Sequence, residues 1–355
     1  MQGRDQTTTN RKQGFVKLVT IIQEHGEITK NKKVNCMKKK EEKKGIKKKR
    51  WTKNDTQLSL LALPTFVWYI LFSYLPMFGV IIAFKQYRIT PGKSFLYNLL
   101  HSEWVGLDNF MYMFQASNFA ILLRNTILYN VVFVILGIFI PVTLAIMLSL
   151  VHSRFKSKVY QTCMFFPHFL SWVVVSYFVF AFLSVDKGIL NNLLKYFGAD
   201  TINWYMEAKY WPFILVFMKL WKGVGYGTVV YLASITGVDS TYYEAAVIDG
   251  ATKWKQVKYI TIPFIKPIVI MMFILNIGSI FSSDFGLFYQ VTRGIPASLY
   301  NVASTIDTYI YNAIRSSTPI GMTSATSFLQ SIACCATILL ANWIVKKIDD
   351  EYAII

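Results

Sequence analysis

Residues Thr241–Pro267 read TYYEAAVIDGATKWKQVKYITIPFIKP, a charged patch set between two long apolar segments. Thr241 and Glu244 have the T-x-x-E spacing of a capping box, in which hydroxyl and carboxylate each satisfy an orphan backbone N–H. Gly250 stands where a left-handed residue would close that helix. Thr252 can cap a second short helix. That helix is expected to stop before Pro263, because proline lacks an N–H and disfavours helix at the residue before it. The spacing predicts a helix–glycine–helix hairpin (residues 241–267) able to project from a membrane.

Working outward, Glu244-Ala245-Ala246, three residues, Gly250, nine residues, then Ile260-x-Ile262-Pro263 resembles the EAA motif of ATP-binding-cassette importer permeases. That family's pattern is EAA-x3-G-x9-I-x-L-P. The one departure is Ile262 in place of leucine, a change of shape but not of polarity. In the family the hairpin is the cytoplasmic element that docks into a cleft on the ATPase subunit. The resemblance therefore implies ATPase coupling through Glu244, Ala245, Ala246, Asp249, Gly250, Ile262 and Pro263. The plainer alternative is an interhelical loop that carries EAA and a glycine by chance.

Composition agrees with a membrane setting. The chain has 355 residues, 54% of them hydrophobic, and a mean hydropathy of +0.39. Its net charge of +18 does not indicate nucleic acid, because 17 of the 37 Lys and Arg lie at or before Lys53. Residues 1–55 thus form a basic arm that is expected to be disordered. Two readings of the arm stand. It binds anionic lipid headgroups or, more simply, its charge keeps the N-terminus inside. Met37, followed by three lysines, also fits a translational start, which would leave residues 1–36 untranslated. No signal-peptide pattern follows. Cys36, Cys163, Cys334 and Cys335 form no C-x-x-C pair, and the last three are expected to act as small buried hydrophobes.

Apolar segments at about 58–84, 122–150, 159–184, 211–236, 267–290 and 322–345 are each long enough to cross a ~30 Å hydrocarbon core. The expected fold is an all-α integral membrane protein with six transmembrane helices over residues 56–350. Lysine and arginine are denser at 151–158, in the hairpin and at Lys346-Lys347 than in the alternate loops. By the positive-inside rule this puts both termini and the hairpin in the cytoplasm of a multi-pass plasma-membrane protein.

Further pieces recur in order: Trp104-Val-Gly-Leu-Asp-Asn-Phe110, Phe166-Pro-His-Phe-Leu-Ser-Trp172, Trp221-Lys-Gly-Val-Gly-Tyr226, Asp284-Phe-Gly-Leu-Phe-Tyr-Gln290 and Ile306-Asp-Thr-Tyr-Ile-Tyr311. Together they resemble the LplB-type branch of oligosaccharide permeases, over about residues 56–350. The resemblance implies the type I importer permease fold. It also implies an oligosaccharide substrate, one that could contain uronate. The implied partners are a second permease, a cytoplasmic ATPase dimer and an extracellular solute-binding lipoprotein. ATP and Mg would then sit on the ATPase partners, with no cofactor in this chain.

The residues add to this. No H-E-x-x-H and no Walker A glycine loop is present, so any ATP hydrolysis must occur on another chain. A membrane enzyme would lack its catalytic residues. An ion-coupled secondary sugar transporter, the alternative function, would want acids near mid-membrane and an internal repeat. Asp284 is the one clear acid within a span. Sugar rings stack on aromatics and their hydroxyls seek amides, which makes Trp172, Trp221, Tyr226, Asn276 and Tyr289 candidates for a substrate path. Packing or an interfacial belt would equally employ such residues. Lys222 lies ~16 Å into its span, where a cation should face a wet cavity or a partner. It either receives a substrate carboxylate, with Lys219 on the same wall, or pairs structurally with Asp284 or the other permease, or snorkels to the surface.

Overall fold

The computed structural model describes residues 53–115, 118–316 and 318–348. Nearly all of the basic arm of residues 1–55 lies outside the described residues. Contacts divide the chain after Leu75. In the first part, α1 (Lys53–Tyr69) passes into a π-helical turn at Ile70–Tyr74. Leu61, Phe66 and Trp68 stand exposed on it, and Pro64 lies inside it. A helix apolar on every side suits lipid or a membrane partner.

The second part opens with a 3-10 helix at Phe78–Phe84 and then a two-residue antiparallel ladder, β1 (Lys85–Gln86) against β2 (Glu103–Trp104), with α2 (Phe95–His101) between the strands. From α3 (Asp108–Gln115) the buried Asn109 donates to the carbonyls of Ala83 and Lys85 at 2.9 and 3.0 Å. The long helix α4 (Phe119–Ser149) follows.

The segment expected as a straight span over 159–184 is broken. The helix α5 (Arg154–Phe165) runs into a 3-10 turn at Phe166–Phe169, Leu170 is extended, and α6 (Trp172–Leu183) leaves at 99°. Pro167 stands at the start of the 3-10 turn, and the Ser171 hydroxyl caps α6 by accepting from Val174 N at 3.3 Å. A proline without a donor and a serine that starts a new helix together explain the corner. Beyond α7 (Ile189–Tyr196), α8 (Trp211–Thr236) packs along α4. Around them lie two apolar clusters. One is built on Trp211, Leu215, Val175, Val179, Leu287 and Phe288, the other on Ala145, Leu148, Tyr231, Leu232 and Ile265.

The hairpin consists of α9 (Ser240–Ile248) and α10 (Lys253–Gln256), and its second arm does not stop before Pro263. It continues through a π-helical turn at Val257–Thr261 into α11 (Ile262–Ile277), giving helix throughout Lys253–Ile277. Pro263 sits at the first positions of α11. There the wide turn before it has already broken the ordinary hydrogen-bond ladder, so a missing N–H does little harm.

The fifth segment, expected at 267–290, therefore starts earlier and ends at Gly278. After a break it resumes as a short π-helix, Gly286–Val291. Side chains satisfy the break. Asn130 donates to the carbonyls of Ile280 and Ser282, both at 2.9 Å. Asp307 accepts from Ser283 N at 2.6 Å, and Gln330 donates to Phe281 O at 2.8 Å. Irregular backbone at membrane depth needs such partners. Asp307 belongs to α12 (Ile306–Arg315) and Gln330 to α13 (Ile320–Ile348).

Five helical stretches are long and apolar enough to cross a membrane: Lys53–Phe84, Phe119–Ser149, Ala208–Thr236, Lys253–Ile277 and Ile320–Lys347. The bent α5–α6 pair makes a sixth if counted as one span. Cys163 and Cys335 are exposed, against the expectation of burial, while Cys334 is partly covered. On these helices the outward face is as apolar as the inward one, so an apolar neighbourhood does not imply burial.

Candidate functional site

Two places hold all but Trp221 and Asn276 of the residues singled out by the sequence. At the hairpin, Thr241 and Glu244 do not form the expected capping box. The N-cap is Asp239, whose carboxylate accepts from Thr241 N at 3.0 Å. Asp239 holds the extended backbone that a cap requires, which leaves Thr241 inside the first turn. The same hydrogen bond holds the Asp239 carboxyl below its ordinary pKa. The C-terminus follows the expectation. Gly250 has φ +72°, its N–H reaches Val247 O at 3.0 Å, and Ala251 N reaches Ala246 O at 2.8 Å. This is the paired closure of a Schellman motif. Thr252 caps α10, accepting from Lys255 N at 3.5 Å. Tyr243 and Thr261 hydroxyls, 3.0 Å apart, tie the two arms.

Glu244, Ala245, Asp249, Gly250, Ile262 and Pro263 are exposed, and Ala246 is partly covered. Beside them, Ile248 is 86% and Trp254 72% exposed. Both apolar side chains thus stand open on the hairpin. The motif reading missed both, although Ile248 lies within its three unassigned positions.

The second place lies where α5, α6, α8 and the fifth segment meet. Lys219 and Asp284 form an ion pair at 2.8 Å, and the Trp172 indole donates to the same carboxylate oxygen at 3.1 Å. Lys222 instead donates to His168 O at 2.9 Å, with its ammonium 5.4 Å from the Trp172 ring. Of the pairings considered for Lys222, the one with Asp284 is thus taken by Lys219. Tyr226 stacks on His168, centroids 5.1 Å apart. Two glycines allow these approaches. A Cβ on Gly225 would overlap the Met164 carbonyl, and one on Gly286 would overlap the Trp172 ring.

Tyr289, from the π-helix after Asp284, packs on Phe285 and Tyr311 at 4.9 and 4.8 Å and accepts from Arg315 at 3.3 Å. Trp221 and Asn276 are not brought into the group. Both are exposed, and Asn276 donates back to Met272 O in its own helix at 2.6 Å. The structure therefore collects Trp172, Lys222, Tyr226 and, next to them, Tyr289.

Apolar helices that cross a membrane, an exposed self-capped hairpin and a polar cluster between spans define a multi-pass transport subunit. More particularly, the chain belongs to the family described as binding-protein-dependent transport system inner membrane component, which matches residues 137–350. Two relatives come from Bacillus subtilis strain 168. The polygalacturonan/rhamnogalacturonan transport system permease YteP is 34% identical over 294 residues, 83% of this chain and 89% of that one. The protein LplB is 34% identical over 308 residues, 87% and 94% respectively. A chain in the crystal structure of a bacterial ABC transporter involved in import of the acidic polysaccharide alginate superposes with a TM-score of 0.74. It is 30% identical and matches 84% of this chain and 97% of that one.

Proposed function

We propose that this chain is one of two membrane subunits of an ATP-driven importer for a uronate-containing oligosaccharide. An extracellular binding protein delivers the sugar, and a cytoplasmic ATPase dimer carrying ATP and Mg drives transport. The termini and the hairpin face the cytoplasm. Closure of the ATPase pair displaces the hairpins and switches the helices between inward-open and outward-open states. The observation that carries this reading is the hairpin, capped by its own residues and exposed through Glu244, Ala245, Ile248 and Gly250. The substrates named for these similar proteins, polygalacturonan/rhamnogalacturonan and the acidic polysaccharide alginate, support an acidic sugar. So does Lys222 beside Trp172 and Tyr226, which together offer a cation and aromatic faces, Lys219 being already paired with Asp284. The ion-coupled alternative would need Asp284 to exchange partners, yet Lys219 and Trp172 both hold it.

The test is Gly250→Val, read as uptake together with membrane abundance. No atom lies within 4 Å of a Cβ at this position. The change thus strains the turn by ~1–2 kcal/mol without touching the bundle. Lost uptake at normal abundance is the expected result. Full uptake, or loss only through disappearance of the protein, overturns the coupling role. Lys222→Gln, assayed with an acidic and a neutral oligosaccharide, tests the substrate class. Selective loss of the acidic one is expected, and equal loss of both rejects the carboxylate reading.

A further inference from the structure

Just after the π-helix Gly286–Val291 the backbone makes a turn that the sequence gives no reason to expect. Three consecutive residues are left-handed: Arg293 with φ 60°, Gly294 with φ 88° and Ile295 with φ 56°. Only the glycine adopts this conformation freely. For arginine, and above all for β-branched isoleucine, it is strained. The surroundings hold the strain in place. Arg293 N reaches Gln290 O at 3.0 Å, Gly294 N reaches Tyr289 O at 2.8 Å, and Ile295 N reaches the buried Thr292 hydroxyl at 3.1 Å. Strain over-determined in this way marks clamps and binding sites.

The turn delivers a cation to a cavity. The Arg293 guanidinium lies 4.0 Å from the Phe180 ring centroid, at the wall of a space of about 270 Å³ also lined by Ser176, Tyr177, Tyr289 and Gln290. Tyr205 supports Phe180 from its own side, centroids 6.2 Å apart. Tyr289 carries a second arginine, since Arg315 Nη1 donates to its hydroxyl at 3.3 Å and to that of Tyr311 at 3.4 Å. Two ion pairs lie elsewhere, Glu207 with Lys209 and Asp284 with Lys219. Neither arginine shares them. The cavity thus offers a planar cation, aromatic faces, hydroxyls and an amide, with no acid to neutralise it. A carboxylate carried on a sugar ring needs that combination, and a guanidinium can bind it in bidentate fashion.

We infer that Arg293, with Arg315 behind Tyr289, forms a carboxylate-recognition subsite, separate from the Lys219–Lys222 cluster, that selects acidic over neutral oligosaccharides. This rests on the acidic-oligosaccharide reading above. The experiment measures binding of trigalacturonate and of its fully methyl-esterified form to the purified full-length chain in nanodiscs of zwitterionic lipid, where no anionic headgroup competes. Wild type should prefer the acid. Arg293→Gln should weaken the acid roughly tenfold, as loss of a charge-assisted pair requires, and leave the ester within about twofold. Arg315→Gln should have a smaller effect. Arg293→Gly removes the charge and keeps the turn free of strain at that residue, so it should weaken the acid as Arg293→Gln does. Wild type without preference for the acid overturns the acidic-substrate reading and the subsite with it. A preference that survives intact in Arg293→Gln, or equal loss of both probes, overturns the subsite alone.

Discussion

The hairpin and the inter-span cluster are built in opposite ways. The bonds that cap and close the hairpin are local: Asp239 to Thr241, Ala246 to Ala251, Thr252 to Lys255. The Tyr243–Thr261 contact that ties its arms spans only 18 residues. The cluster is made of partners far apart in sequence, with separations of 112 residues for Trp172–Asp284, 65 for Lys219–Asp284 and 54 for Lys222–His168. A locally capped element can present any surface without disturbing the bundle. The cluster ties three segments together, so its residues serve packing and chemistry at once. Substitutions at the hairpin should therefore change what the protein does, whereas substitutions at the positions that pack the cluster together, Gly225 and Asp284, should change whether it assembles.

The sharpest test of that contrast is at Gly225, whose absent side chain lets α8 lie against the backbone of Met164 and Phe165. Gly225→Val should all but remove the protein from the membrane, since overpacking costs ~1–3 kcal/mol even where neighbours can yield and backbone cannot. Gly223→Ala, with nothing within 4 Å of the new carbon, should leave abundance unchanged. Immunoblots of membrane fractions compare the two, and equal abundance would break the comparison. Next in size is Asp284→Leu, which strands Lys219 and the Trp172 indole. We expect a loss of ~1–3 kcal/mol, kept modest because both ionic side chains remain partly solvated. Thermal unfolding in detergent measures it. Adding Lys219→Met should recover part of the loss, giving a coupling energy from the double-mutant cycle.

Smaller effects belong to the hairpin. Gly250→Ala should cost ~1–2 kcal/mol of local strain. The global melting temperature should not move, and hydrogen exchange should quicken only near residues 245–252. The smallest concerns the cap. Asp239→Ala should speed exchange of the Thr241 amide, whereas Thr241→Val should not, because the threonine hydroxyl is not the cap. The Asp239 carboxyl titrates below its ordinary value in the folded protein. Its contribution is therefore complete above the unfolded carboxylate pKa of about 3.9 and disappears as pH falls through the lower folded value. Cap protection that changes between pH 5 and 8 would contradict this assignment.

The same contrast separates what could be read in the sequence from what could not. The Gly250 closure and the Thr252 cap were legible because each depends on a few neighbouring residues. The Thr241–Glu244 box misled because Asp239, two residues earlier, competes for the same amide, and backbone angles decide between them. Pro263 gave a helix stop where the π turn at Val257–Thr261 absorbs it. Helical periodicity put Lys219 and Lys222 on one face. Which of them reaches Asp284 depends on how α8 meets the fifth segment, and no local pattern contains that. Arg293 was invisible for a different reason. A left-handed arginine is imposed by the bonds around it, not by its own preference.

The corner in the third segment also bears on how the protein is made. At 12 residues, α6 reaches only ~18 Å, well short of a ~30 Å hydrocarbon core, and α5 begins with Arg154, Lys156 and Lys158. Neither half is a self-sufficient stop in lipid. The face that completes them, around Gly225 of α8, leaves the ribosome some fifty residues later, as the Lys222–His168 separation of 54 indicates. Insertion of the third segment is thus a late event in synthesis. A nascent chain halted before α8 emerges should leave that segment reachable from water, and it should become shielded once α8 is in place.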